Sequence, residues 1–248
     1  MKRRKFIGLG LAVAAQPLAA QAQQMAAGSI MHVVQQPHNI ESWGEFRRMM
    51  MTGDFTPKVR LRDVMAKHPT TGVGAVSDAR GEISIFGGKL IASYGKPGPK
   101  PDVISDSAAL LAVASAKDWQ TVTVDHDIPP TEIESYVAAT AKAHGVETDK
   151  SFPFQARGSL VSYIMHVNAA PTGGPHGMGL PMAVTVVSQG NRLDGQVAGL
   201  YVSPDLVGVA THGGERTHAH WISADGTSTA HLDQWGFRAG TTLLLPRP

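Results

Sequence analysis

The chain contains no cysteine in its 248 residues, so neither disulfides nor thiolate ligands are available to it. Any transition-metal site must therefore be assembled from histidine and carboxylate, a ligand set that suits zinc, iron, nickel or copper. Charge of one sign is also missing: 22 basic side chains stand against 20 acidic ones. No basic tract with interleaved aromatics occurs, which argues against nucleic acid as a partner. Long apolar runs are absent too. The longest lies at the start, at residues 6–15, and is too short for a permanent bilayer span.

That start has the pattern of an export address. Lys2-Arg3-Arg4-Lys5 precedes the apolar run, and Ala20-Gln21-Ala22 supplies a small-x-small cleavage site, placing the mature start near Gln23. An uncleaved anchor is the alternative, and the shortness of the run argues against it. Arg3-Arg4-Lys5-Phe6-Ile7 further matches a twin-arginine signal, although a basic start before an apolar run also serves the general secretory route. The expectation is a periplasmic or secreted protein with residues 1–22 removed.

Two stretches follow. Residues 23–150 read as mixed α/β. The spacing of Trp43, Phe46, Met49 and Met50 predicts a helix over 40–51, and Leu61, Val64 and Met65 predict another over 59–67. From Gly72 the period changes to two, and Gly87-Gly88 between two alternating runs marks a hairpin. Residues 108–116 are apolar and Ala-rich, open to helix or buried strand, and 119–124 alternate as a strand. Pro129-Pro130-Thr131-Glu132 opens a helix to Ala143, with Gly145 placed to stop it. Residues 151–248 read as β-rich. A strand is expected over 152–167 with a bend or bulge at Gly158, and further strands over 183–187, 196–202, 208–210, 218–223, 229–234 and 241–245. The expected class is α+β: a mixed β-sheet N-terminal part with flanking helices, packed on a mainly antiparallel β C-terminal part and sharing its core.

Chemistry concentrates near the end. In His218-Ala219-His220-Trp221 the alternation puts both imidazoles on one face of a strand. Asp225-Gly226 then turns the chain, and His231 returns on the neighbouring strand. Three converging nitrogens with a fourth position open is the arrangement of a catalytic zinc site. A lone histidine would be read as a solvated strand residue; an H-x-H pair with a third across a tight turn would not. His212 lies beside Gly213-Gly214 and reads as a loop residue rather than a fourth ligand. Asp125, His126 and Asp127 precede a helix and read as loop and cap residues, whereas the glycine-flanked His176, in a Gly/Pro-rich loop, is open to covering the pocket or binding a surface metal and is left unassigned.

The run Gly195-Gln196-Val197-Ala198-Gly199-Leu200-Tyr201-Val202-Ser203-Pro204, the His218/His220/His231 trio and the following Leu232-Asp233 resemble the α-acetolactate decarboxylase family. Gly53-Asp54, residues 59–63, 72–74, 80–82 and 87–89 resemble its N-terminal block, and residues 154–160 its central strand. The resemblance implies that the three histidines bind zinc and that Glu82 is the catalytic acid or base. It also implies a 2-hydroxy-3-oxo acid such as acetolactate as substrate, acetoin and carbon dioxide as products, and a homodimer. Two positions depart from the pattern. His166 stands where the family has an arginine aimed at the substrate, and the family's late C-terminal glutamate has no counterpart before Pro248. These departures keep open a related enzyme acting on another keto acid, or an exported metal-binding or interaction protein without catalysis.

Overall fold

The computed structural model describes residues 32–96, 102–169 and 184–248. The stretch expected to serve as an export signal, most of the 95–101 loop and the 170–183 segment with His176 lie outside the described residues. Seven strands form the first sheet: β1 (His32–Gln35), β2 (Ile40–Trp43), β3 (Val59–Arg60), β4 (Thr71–Val76), β5 (Gly81–Phe86), β6 (Lys89–Tyr94) and β7 (Ser107–Ala114). Their order is β1-β2-β7-β4-β5-β6, with β3 also on β7. The second sheet holds β8 (Trp119–Thr123), β9 (Phe152–Ala169), β10 (Val184–Gly190), β11 (Leu193–Tyr201), β12 (Thr217–Ile222), β13 (Thr229–Phe237) and β14 (Thr242–Pro246). Every pairing in the two sheets is antiparallel. With α1 (Phe46–Thr52), α2 (Leu61–Met65) and α3 (Ile133–Ala143), the class is α+β.

The length of β9 shapes the second sheet. Its first half pairs with β11 and β14, and its second half with β13 and β10. Because β11 pairs with β12 and β12 with β13, the ladder closes back on β9 as a small ring of four strands. The strand must turn between its halves, and Gly158 serves there at φ 151, where an added Cβ would lie 2.6 Å from the Thr241 hydroxyl.

Period-two alternation decides what each sheet shows the other. On β5, Ile83 and Ile85 pack with Leu61 and Val64 of α2 in one core. Glu82 and Ser84, which alternate with them along the strand, therefore face the second sheet. Phe86, Val73 and Ala112 of the first sheet share a core with Ala198, Leu200 and Ile222 of the second. The other side of the second sheet buries Phe154, Trp235 and Phe237 beneath Ile133, Val137 and Ala141 of α3.

Three elements differ from the sequence expectation. The helix expected over 40–51 begins only at Phe46, because Ile40–Trp43 pairs with β7 and Gly44 at φ 82 turns the chain. The helix expected over 59–67 is shortened in the same way, Val59–Arg60 adding to β7 before α2. Residues 208–210 are a turn rather than a strand. Gly208 has φ 79, and the carbonyls of Gly208 and Val209 accept from the first amides of α1, Arg47 at 2.9 Å and Phe46 at 2.8 Å. The open choice at 108–116 resolves as strand β7, whose alanines are buried on both faces; tertiary packing overrides alanine's helical preference.

Candidate metal centre

Strand register brings the histidines together. His220 on β12 lies opposite His231 on β13, and His231 lies opposite His166 on β9. Residues directly opposite share a face, so three imidazoles stand in a row, with His218 one pleat away on β12. His218, His220 and His231 are 3%, 0% and 6% exposed, which no solvated surface histidine would be.

Hydrogen bonds fix which ring nitrogen is free. Nδ1 of His218 donates to the Ala210 carbonyl at 2.7 Å, so its Nε2 carries a lone pair. For His220 a relay decides. The Thr229 hydroxyl donates to the Trp221 carbonyl at 2.9 Å, so at 2.5 Å it accepts from Ser84. Ser84 has then spent its only proton and accepts from Nδ1 of His220 at 3.3 Å, leaving Nε2 unprotonated. The two free Nε2 atoms lie 3.3 Å apart, and Nδ1 of His231 lies 3.3 Å from Nε2 of His220. Tetrahedral zinc, holding imidazoles at about 2.0–2.1 Å, sets its nitrogens roughly 3.3–3.4 Å apart. The donor set fits that ion.

Electrostatics point the same way. Burial, countered by the Ala210 carbonyl, pushes His218 down to about 4. Burial and then the neighbouring imidazoles hold His220 and His231 well below the ordinary histidine value. At neutral pH all three are neutral, which is the state that ligates. Lone pairs facing one another in a dry site repel unless a cation sits among them.

Two carboxylates complete the centre. Glu82, 2% exposed, reaches across from β5. Its Oε1 accepts from the Asn168 amide at 3.1 Å and stands 4.0 Å from Nε2 of His166. Its Oε2 is 3.8 Å from Nε2 of His220, beyond a tetrahedral edge, so it flanks the ligand trio. Burial raises this carboxyl to about 8, against the pull of His166 and the Asn168 amide. Asp233 holds His166 from the other side, its two oxygens 2.9 and 2.8 Å from Nδ1. Burial alone would lower His166, but the Asp233 bond and the two carboxylate charges outweigh it and raise its value. Asp233 reaches that position through a bulge: Leu232 and Gln234 pair with the adjacent Met165 and Ile164, leaving Asp233 as the extra residue.

The candidates read from sequence thus divide. Glu82, His218, His220, His231 and His166 come to one place. Asp125, His126 and Asp127 do not: Asp125 bonds His126 at 2.6 Å on the surface, and Asp127 accepts from the Ala239 amide at 2.8 Å. His212 was expected to be a plain loop residue, yet its Nε2 is 3.3 Å from Nε2 of His231 and its ring centroid is 4.0 Å from that of Phe46. Its location beside the trio is set by the Gly208 turn, which local sequence does not announce. A cavity of about 250 Å³ opens over the centre, lined by Glu82, His166, His212, His218, His231 and Asp233 at its floor. Apolar side chains make up its walls, Phe46, Met49 and Met50 of α1 among them.

Solved structures share this fold. α-Acetolactate decarboxylase from Bacillus subtilis strain 168 superposes with a TM-score of 0.63 at 11% identity, covering 83% of this chain and 84% of that one. The fold is that of α-acetolactate decarboxylase. The decarboxylase from Bacillus subtilis subspecies spizizenii gives the same values. A Staphylococcus aureus protein described as similar to α-acetolactate decarboxylase gives a TM-score of 0.60 at 11% identity over 82% of each chain. No family model and no curated protein matches the sequence. The decarboxylase fold is therefore carried here by a sequence only 11% identical to those structures.

Proposed function

We propose that the protein is a zinc-dependent carboxy-lyase that takes a 2-hydroxy-3-oxo acid of the acetolactate type to a hydroxyketone and carbon dioxide. The observation that carries this reading is the buried His218, His220 and His231 trio, its ring nitrogens within 4.8 Å of one another and two of its edges at 3.3 Å, with a buried carboxyl beside it and a cavity above. His218, His220 and His231 would hold the ion, which when bound supplies Lewis-acid polarisation of the ketone and hydroxyl oxygens.

The protein's own groups account for the rest. Loss of the carboxylate breaks a carbon–carbon bond and leaves its electron pair on the former α-carbon, spread toward the ketone. Glu82, whose carboxyl burial raises to about 8 in the absence of an ion, lines the cavity beside the trio and would deliver a proton to one face of the carbon. A cation alongside would pull the carboxyl back toward ionisation. His166, held by Asp233, donates toward the substrate carboxylate from the family's arginine position. A single imidazole cannot make the bidentate grip of a guanidinium, which favours an acid other than acetolactate itself. Export by the N-terminal signal and assembly as a homodimer belong to the same proposal.

The test is carbon dioxide release from 2-hydroxy-3-oxo acids by zinc-loaded protein, with and without chelator. Turnover that chelator abolishes, and that falls at least about 100-fold in Glu82→Gln, is expected. Full rate in that variant removes the role of Glu82; stoichiometric zinc with no turnover on any such acid removes the lyase.

A further inference from the structure

The walls of the cavity say more about the substrate than its floor does. Among the described residues that line it, the ionisable ones are Glu82, Asp233 and four histidines, and none is a lysine or an arginine. The walls are Phe46, Met49 and Met50 from α1, then Phe55, Leu110 and Ile164. This wall is fixed in place. The first amides of α1 donate to Gly208 and Val209 at 2.9 and 2.8 Å, Gly53 at φ 66 closes its other end, and the Phe46 ring lies 4.0 Å from that of His212. Two methionines and two phenylalanines facing one cavity make an adaptable apolar surface, soft enough to fit a chain or a ring.

Resting on the lyase reading of the same centre, we infer that the substrate carries an apolar arm larger than the methyl groups of acetolactate, an extended alkyl or aryl group lying along α1. Three features converge on this. A cavity of about 250 Å³ leaves room beyond the ligating atoms of a hydroxy-oxo acid. Among the described residues no lysine or arginine lines the cavity to pair with a second carboxylate or a phosphate. A polar arm would leave its groups unpaired against Leu110, Ile164 and the two methionines, each costing free energy that water would otherwise supply. Burying each methylene against such a wall contributes about a fourfold gain in affinity.

Binding of hydroxamates to zinc-loaded protein, followed by calorimetry, tests this apart from turnover. The two probes are acetohydroxamate and 3-phenylpropionohydroxamate, which present the same metal-binding head. The phenyl probe is expected to bind at least about tenfold tighter, with Met50→Gln bringing the ratio of the two affinities toward one. A general loss of folding would weaken both probes together and leave that ratio unchanged. If both bind equally, or the acetyl probe more tightly, the apolar arm is wrong while the open metal site stands. If neither binds to protein that retains its zinc, the open-site reading fails and this inference fails with it. Turnover provides a second readout: a benzyl-substituted 2-hydroxy-3-oxo acid should show a kcat/KM at least about tenfold above acetolactate, and equal values would overturn the proposal.

Discussion

Replacing Glu82 by glutamine should change how the stability of the metal-free protein depends on pH. In the folded chain burial lifts the Glu82 carboxyl to about 8 from an ordinary 4.5. Between those values the folded state keeps a proton that the unfolded state has released, so stability falls as pH rises through the window. The full gap corresponds to about 5 kcal/mol, of which about 2 kcal/mol is lost between pH 6.5 and 8. The buried histidines act in the opposite sense at lower pH. His218 falls to about 4 from 6.5, so the folded state binds fewer protons there and stability rises with pH across that range. His166, raised by Asp233 and Glu82 against its burial, adds to the decline above pH 6.5. Metal-free protein should therefore be most stable near pH 6.5. Urea unfolding in chelator at pH 6.5 and 8 measures the slope. Between pH 6.5 and 8 the wild type should lose about 2 kcal/mol more stability than Glu82→Gln, because an amide does not titrate while the histidines are common to both. Zinc should flatten the wild-type slope, since a cation beside the carboxyl favours its anion. Equal slopes for the two proteins in chelator would refute the assignment of a buried, proton-holding carboxyl.

Other changes address the supports of the centre. Ser84→Ala removes the acceptor for Nδ1 of His220 and should weaken zinc binding about tenfold in a competition titration, with the fold retained. Asp233→Asn replaces the carboxylate that holds His166 and should lower kcat by roughly 10- to 100-fold while leaving zinc stoichiometry unchanged. Gly199→Val puts a Cβ within about 2.1 Å of the Phe154 ring, and overpacking of this kind should cost about 1–3 kcal/mol in urea unfolding.

How much of this could be read in advance depends on whether the signal was local. The histidine trio was legible because a strand's period of two and a tight turn fix where side chains at 218, 220 and 231 point. Glu82 was found from the block around it, but its facing partners come from β9 and β12, far along the chain. Asp233 belonged to a Leu-Asp pair in the sequence and showed no role, because a bulge aims it, and bulges leave only a weak mark in sequence. The segment at 40–51 was misread for a related reason. Its apolar spacing suits a helix throughout, yet Gly44 divides it, and the pairing that makes Ile40–Trp43 a strand comes from β7, some seventy residues on. The role of α1 as a cavity wall and the approach of His212 both follow from one turn at Gly208, formed by contacts between distant segments.

The central claim is that three imidazoles hold one divalent ion and leave room for a guest. X-ray absorption at the zinc edge, on protein reconstituted with one equivalent of zinc, tests it most directly. The account predicts three imidazole nitrogens at about 2.0–2.1 Å with oxygen filling the remaining positions, and a changed oxygen shell when acetohydroxamate is added. Four nitrogens in a closed shell that the hydroxamate does not alter, or zinc bound without imidazole, would contradict it.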